Sequence, residues 1–192
     1  MRPTAMANTT GSAYNLTVIT PVVPGHEQQL EDDLNAIPRG PDGIDSPFRN
    51  LPTTHFARLV RIPQLVDEGP PQRPVVLRSQ YLLYCSVFTG ALTDHLEHLR
   101  ILLQPTTDRI WGHCVGYPTA ADPGRFAAWF KHNQIRTSYF FAACPDADVA
   151  RVRAALALRE RVIAFAVRGQ QLPDAELLTE FHKEFLAAGL RV

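Results

Sequence analysis

The sequence has few cysteines, and they form no pattern that binds a metal or builds a disulfide framework. Its three cysteines, Cys85, Cys114 and Cys144, are an odd number at spacings that match no zinc-ligand set and no disulfide scaffold. Free thiols are typical of a reducing compartment. We therefore expect a cytoplasmic protein without a structural metal.

Long apolar runs and an excess of one charge are also absent. No run is long enough to cross a bilayer, and the N-terminal MRPTAMANTTGSAYN has no apolar segment of the kind that a secretory signal needs. The 19 basic and 19 acidic residues cancel to a formal charge of 0 and are spread along the chain. Nucleic-acid and anionic-membrane binders usually carry a basic stripe, so we expect neither partner.

The common catalytic motifs are missing as well. The sequence holds no GxSxG, HExxH, P-loop, GxGxxG or EF-hand string, which leaves hydrolase, metalloprotease, nucleotide and calcium functions without support. His95 and His98 lie close together on a predicted helix, but nothing supplies further metal ligands. We predict no metal site and no particular reaction.

What the sequence does contain is an alternation of strands and helices. Its 192 residues are enough for one domain that buries roughly 70% of its unfolded surface. Residues 1–13 are small and polar and are predicted to be a disordered lead-in. Residues 14–192 are predicted to form a single α+β domain, with its core over residues 14–143 and C-terminal helices over residues 145–188.

Four segments have the alternation or the β-branched and aromatic content of strands. The first begins at Tyr14, and the others are Thr54–Ile62, Ser79–Phe88 and Ile135–Ala143. In the third, apolar residues occupy both alternating faces, which is typical of a central strand that is covered on both sides.

Apolar residues at helical spacing predict helices over residues 26–38 and 91–103. An inserted short helix is predicted to begin at Pro123 with Asp122 as its N-cap. Two C-terminal helices are predicted at about Pro145–Arg168 and Pro173–Ala188, with Gly189 following the second.

The resulting βαββαβ order over residues 14–143 is that of the ferredoxin-like fold, an antiparallel sheet with helices on one face. Because those helices cover only one face, the other needs a cover, either the C-terminal helices or the sheet of a second protomer. The second arrangement resembles the dimeric α+β-barrel superfamily. That resemblance implies a homodimer and, in the enzymes of the superfamily, monooxygenase-like or haem-handling activity.

The haem peroxidases of that superfamily are recognised by a GxxDG motif. The nearest string in this sequence is GPDG, from Gly40 to Gly43, which is one residue short. It lies in a proline-rich loop, so the functional residues of the peroxidases are not carried over. Neither haem nor flavin is assigned as a cofactor.

The stretch WGHCVGYP places an imidazole, a thiol and a phenol among glycines. Gly112 and Gly116 permit backbone conformations that would hold His113 and Cys114 beside a pocket. Adjacent side chains of an extended chain point to opposite sides, so these two are not expected to meet. The alternative is that the aromatic residues anchor a loop and the imidazole is simply hydrogen-bonded within it.

The strand THFARLVRI brings a cation toward the core on either face, through Arg58 or Arg61. An inward arginine needs an anion, which is either a ligand carboxylate or an acid of the first helix such as Asp33. The alternative is an arginine whose charged end reaches solvent at the sheet edge.

These features give one set of candidate ligand-binding residues between sheet and helices: His55, Arg58, His113, Tyr117, His132 and Tyr139. The first functional hypothesis is a self-associating domain, a homo-oligomer that binds a small apolar ligand. The alternative is a small oxidoreductase of the dimeric α+β-barrel type.

Overall fold

The computed structural model describes residues 8–40, 45–66, 69–71, 73 and 75–186. The chain divides into two compact units, Met1–Val149 and Ala150–Val192, where the sequence predicted one domain. Within the described ranges, no helix combines the length and the apolar character needed to cross a membrane.

The first unit is an α+β structure around an antiparallel sheet, which confirms the predicted class. Its strands are β1 (Thr9–Thr10), β2 (Ala13–Pro21), β3 (Thr54–Ile62) and β4 (Tyr81–Thr89). They lie in the order β1-β2-β4-β3, and every neighbouring pair is antiparallel. The predicted third strand, now β4, is therefore central, between β2 and β3.

The helices of the first unit are α1 (Glu27–Asn35), α2 (Leu92–Leu102), α3 (Gln104–Trp111) and α4 (Pro123–His132), with a 3₁₀ turn at Pro47–Asn50. The predicted start of α4 is confirmed, since the Asp122 side chain accepts a hydrogen bond from the Arg125 N–H at 3.0 Å. Helix α3 was not predicted. Its proline stands in the first turn, where the missing N–H costs nothing.

The predicted fourth strand, Ile135–Ala143, is wrong. The chain makes a single bridge between Gln134 and Val18, and the N–H of Ile135 donates to the carbonyl of Thr17 at 2.8 Å. Beyond that point the edge of β2 is taken by β1, which pairs with Ala13 and Tyr14. The aromatic segment therefore runs outside β1, and Tyr139 is 80% exposed.

Part of the predicted disordered lead-in belongs to this edge. Asn8 is buried, and its side-chain carbonyl accepts a hydrogen bond from the N–H of Thr137 at 3.2 Å. The hydroxyl of Thr10 donates to the carbonyl of Phe140 at 3.2 Å. Residues 8–13 are thus ordered, whereas residues 1–7 lie outside the described part of the chain, as do residues 41–44, which hold most of the GPDG string.

The core lies between the helices and one face of the sheet. On that face β4 contributes Leu82, Tyr84, Ser86 and Phe88, all fully buried. The Trp111 ring meets Tyr84 edge-on at 5.2 Å between centroids. Each large apolar side chain buried here contributes about 1.5–3 kcal/mol.

The opposite face of β4 carries Tyr81, Leu83, Cys85 and Val87, and all four are only half-buried. The sequence predicted a strand covered on both sides. In the single chain, the helices of the first unit pack against one side only, because they all contribute to the one core cluster beneath it.

The second unit is a pair of helices, α5 (Val149–Gly169) and α6 (Asp174–Phe181), followed by a π-helical turn at His182–Leu186. Phe165, Phe181 and Phe185 pack together, with centroids 5.2–5.8 Å apart. Helix α5 begins four residues later than predicted, at Val149 instead of Pro145. Gly189 and the predicted end of the last helix lie outside the described residues.

Candidate functional site

Three side chains form a hydrogen-bonded chain in the first unit, which we call the Asp33–His113–His26 relay. Nε2 of His113 lies 2.8 Å from Oδ2 of Asp33, and Nδ1 of His113 lies 3.2 Å from Nδ1 of His26. The two imidazole rings meet edge-on, with planes at 71°. Both ring nitrogens of His113 are therefore used, one toward a carboxylate and one toward a second imidazole.

Helix α1 and the segment after α3 position the relay. His26 is the N-cap of α1, and Asp33 follows two helical turns later, so both lie on the side of the helix that buries Leu30. His113 follows α3 directly, and its carbonyl accepts a hydrogen bond from the N–H of Val23 at 2.9 Å. Two backbone segments, joined by this hydrogen bond, thus fix the three side chains relative to one another.

The hydrogen bonds determine where the protons sit when both imidazoles are neutral. The Asp33 carboxylate can only accept, so Nε2 of His113 carries the proton and its Nδ1 carries the lone pair. Nδ1 of His26 must then be the donor in the bond between the two rings. This leaves Nε2 of His26 with a free lone pair, at the end of a chain that begins at a carboxylate.

A cation completes the environment of the carboxylate. Nε of Arg109, on α3, lies 3.6 Å from Oδ1 of Asp33. The side chains of His113 and Asp33 are 15% and 28% exposed, so bulk water screens their interaction only in part. The carboxyl group of Asp33 therefore lies between the guanidinium of Arg109 and the imidazole of His113 that it orients.

Cys114, the neighbour of His113, points elsewhere, as predicted. Its sulfur accepts a hydrogen bond from the hydroxyl of Thr20 at 3.2 Å, and burial raises the pKa of the thiol to about 11. The thiol is protonated at neutral pH and is not a nucleophile for the relay. Among the described residues, no group of three or more His, Cys, Asp or Glu side chains is arranged to hold a metal ion.

Tyr117 has a different partner. Its hydroxyl donates to Oδ1 of Asp108 at 2.9 Å, and the N–H of Ala120 donates to the same oxygen at 2.7 Å. Burial, followed by the hydrogen bond to the carboxylate, raises the pKa of the Tyr117 hydroxyl. The phenol therefore connects the loop after His113 to α3, and no described hydrogen bond joins it to His113.

The other predicted site residues lie apart from the relay. His55 is exposed and bonds the Thr89 hydroxyl at 2.8 Å, and Arg58 is exposed with a Cys85 sulfur 3.9 Å away. His132 is exposed at the end of α4, and Tyr139 is exposed on the aromatic segment. No described hydrogen bond or ion pair joins any of these side chains to His113.

The inward cation of β3 is Arg61. It forms an ion pair with Glu31 of α1 at 2.6 Å and donates to the Gln80 side chain at 2.7 Å. The sequence predicted an acid of the first helix for this role and offered Asp33 as an example. Glu31 takes it instead, and this leaves Asp33 for His113.

Sequence reasoning missed His26 and missed the role of Asp33 toward an imidazole. The available signal was their spacing, two helical turns apart on the side of α1 that also carries Leu30. A pattern of this kind shows which residues share a helix side. It does not show that the segment after α3 brings His113 between them.

The partly exposed side of β2, β3 and β4, which we call the outer sheet face, is the second candidate surface. Paired residues of an antiparallel sheet point to the same side. The register therefore places Leu83 between Ile19 and Val60, and Tyr81 between Pro21 and Ile62. Two adjacent rows at one end of the outer sheet face thus consist of aliphatic and aromatic side chains, and the Tyr81 hydroxyl is their one polar side-chain group.

The remaining rows of the outer sheet face are more polar. Cys85 lies between Thr17 and Arg58. Of the residues that β2, β3 and β4 place on this face, Arg58 is the only lysine, arginine, aspartate or glutamate. Val87, in the row beyond, lies between Asn15 and Phe56, so the face has an apolar end and a mixed end.

Comparisons with known proteins identify no relative. No protein-family model, no curated protein and no solved structure matches the chain.

Proposed function

We propose that this chain is a self-associating cytoplasmic domain in which the outer sheet face packs against the same face of a second copy. The observation that carries the proposal is the pair of apolar rows centred on Leu83 and Tyr81. A contiguous apolar patch rimmed by polar groups is typical of an interaction surface. A two-fold axis normal to such a face buries the same side chains from both copies.

The sheet topology supports a second copy as the occupant. The order β2-β4-β3, with all pairs antiparallel, is the order of the first three strands of a ferredoxin-like fold. We extend the proposal to that fold, with the single Gln134–Val18 bridge at the position of its fourth strand. Sheets of this kind that pair face to face form the dimeric α+β barrel.

The position of Arg58 on the outer sheet face suits an interface. Arg58 stands in the row with Cys85, away from the row that holds Tyr81. Protein interfaces have an apolar core and a polar rim, and arginine is enriched in them. Arg58 therefore belongs to the rim. Three free cysteines fit the reducing compartment that the proposal assigns.

The proposal includes a small apolar ligand between sheet and helices. Among the described residues of the core, the indole N–H of Trp111 has no hydrogen-bond partner. An unpartnered buried donor or acceptor costs about 1–3 kcal/mol. A ligand with one polar group among apolar atoms would satisfy such a site.

Self-association is tested by substituting Leu83→Lys. A lysine at the centre of the apolar rows would bury a charge in the interface. The dissociation constant of the dimer should therefore rise at least 100-fold, which corresponds to a loss of about 2.7 kcal/mol of binding free energy. The measurement is molar mass by light scattering after size-exclusion chromatography, where the wild-type chain should give twice 21.4 kDa.

The matched control is Val76→Lys, because Val76 is 88% exposed outside the sheet. This variant should keep the wild-type mass, and circular dichroism should show native structure in both variants. A monomeric wild-type chain, or a Leu83→Lys variant that dimerises as the wild type does, contradicts the proposal.

The second candidate function is a small oxidoreductase of the dimeric α+β-barrel type. The observation that favours an enzyme is the hydrogen bonding of His113 to two titratable side chains, Asp33 and His26. An absorbance spectrum of the purified protein tests it. A haem Soret band or a flavin band supports this candidate, and a colourless protein whose spectrum and melting temperature do not respond to added haem or flavin counts against it.

A further inference from the structure

We propose that the Asp33–His113–His26 relay is an acid–base site in which Nε2 of His26 is the general base that activates water toward an acyl ester. This inference goes beyond self-association and does not depend on it, because none of the three residues lies on β2, β3 or β4. It assigns His26 as the catalytic residue, and Asp33 and His113 as positioning residues.

The relay has a direction, from the carboxylate of Asp33 to Nε2 of His26. Asp33 accepts from Nε2 of His113, and Nδ1 of His113 faces Nδ1 of His26. When Nε2 of His26 takes up a proton, positive charge develops on that ring. The ring donates its Nδ1–H to His113, whose own Nε2–H donates to the carboxylate. A negative charge is thus held in line with the developing positive charge, as in a Ser–His–Asp triad.

The proton that Nε2 of His26 accepts needs a donor. In a triad the base takes the proton of a serine or cysteine. The thiol next to His113 in the sequence, that of Cys114, is hydrogen-bonded to the Thr20 hydroxyl and remains protonated. The described contacts of the His26 ring are those with His113. The proton therefore comes from water or from the substrate, and hydrolysis by water needs no further protein group.

The reaction balances as a simple hydrolysis. Nε2 of His26 accepts a proton from water while the water oxygen bonds to the acyl carbon. The carbon–oxygen bond to the alcohol part then breaks, and that oxygen leaves with the electron pair. The departing oxygen then takes up the proton that His26 holds, or His26 returns that proton to solvent when the leaving group stays ionised, so ester and water give acid and alcohol and no cofactor or oxidant is required.

The test uses p-nitrophenyl acetate as the probe and release of p-nitrophenolate as the readout. General-base catalysis contributes on the order of 10²–10⁴-fold, so His26→Asn should lower the protein-catalysed rate at least tenfold. The matched control is His182→Asn, because His182 is an exposed histidine of the second unit and its loss should leave the rate unchanged. Equal rates in the wild type and His26→Asn overturn the proposal.

The positioning role is tested by nitrogen NMR of the imidazoles at a pH where they are neutral. The wild type should show His26 with its proton on Nδ1 and His113 with its proton on Nε2. In His113→Phe the partner of Nδ1 is lost, so the His26 proton should move to Nε2 and the ester rate should fall with it. A wild-type His26 protonated on Nε2 overturns the relay. This measurement is made on the wild-type chain and holds even if a variant fails to fold.

Self-association and the acid–base site can be tested separately, because either can be wrong while the other holds. Dissociation of the dimer by Leu83→Lys with full esterase activity leaves the relay intact. Loss of activity in His26→Asn with an unchanged molar mass leaves the self-association intact.

Discussion

The ring of His95 lies flat on the ring of Phe88, with centroids 3.8 Å apart and planes 4° from parallel. His95 is 1% exposed, and neither of its ring nitrogens has a hydrogen-bond partner. Burial, aided by the nearby His98, lowers the pKa of His95 from 6.5 to about 3. The folded chain therefore holds a neutral imidazole at pH values where the unfolded chain binds a proton.

The buried imidazole makes the fold sensitive to acid. Between pH 6.5 and pH 3 the unfolded state binds more protons at this residue, so stability falls as the pH falls through that window. We expect a loss of about 2 kcal/mol from His95 between pH 8 and pH 5. Urea unfolding at a series of pH values measures it.

Replacing the same imidazole with an apolar ring should stabilise the fold. His95→Phe keeps the stack on Phe88 and removes two unpartnered nitrogens, so we expect a gain of about 1–3 kcal/mol at pH 7 and a shallower decline in acid. The control His182→Asn, at an exposed position, should lose stability with falling pH as the wild type does. A destabilised His95→Phe with an unchanged acid profile would refute the account of this site.

The two arginines of β3 should differ in their contribution to stability. Arg61 bonds both Glu31 and Gln80, at 2.6 and 2.7 Å, whereas the Cys85 sulfur is 3.9 Å from Arg58. We expect Arg61→Ala to cost about 1 kcal/mol and Arg58→Ala to change stability by less than about 0.5 kcal/mol. Denaturant titrations of both variants measure their free energies of unfolding. A larger loss of stability in Arg58→Ala than in Arg61→Ala would contradict the assignment of Arg61 as the anchored cation.

Carboxylates at adjacent positions of α1 provide a matched pair. Asp33→Asn removes the charge that holds His113 at 2.8 Å, and we expect a loss of about 1 kcal/mol, given the partial exposure of the pair. Asp32→Asn serves as the control, since Asp32 is exposed and its described side-chain hydrogen bond is with Gln28 of the same helix. Thermal unfolding of both variants at pH 7 should show a lower midpoint for Asp33→Asn alone; equal midpoints would mean that the contact contributes nothing to the fold.

The three thiols should react with a maleimide in a fixed order. Cys144 is exposed, Cys85 is half-buried on the outer sheet face, and Cys114 is buried with its pKa raised to about 11. We expect Cys144 to react first and Cys114 only on unfolding. Cys85 should be protected at protein concentrations where the chain is dimeric and react faster on dilution. Mass spectrometry of timed samples gives the order, and Cys85 labelling that ignores concentration would argue against burial of this face.

Local patterns in the sequence predicted β3, β4 and the start of α4, because alternation and an Asp–Pro N-terminus are short-range signals. The wrong prediction of a fourth strand shows what local patterns cannot predict. The composition of Ile135–Ala143 suits a strand, but Thr9–Thr10 pairs with the edge of β2 that this strand would need. Which segment pairs with an edge depends on the tertiary fold and cannot be read from composition. The relay is a similar case. His113 was identified as a candidate, while its partners depend on how α1 and the segment after α3 pack together.

Contact between the outer sheet faces of two copies is tested most directly by an isotope-filtered NOE experiment on a mixture of ¹³C-labelled and unlabelled chains. Intermolecular NOEs should arise from the methyl groups of Ile19, Val60 and Leu83, which the register places in one row. The absence of intermolecular NOEs at millimolar concentration, or NOEs confined to methyl groups of other surfaces, would contradict the account.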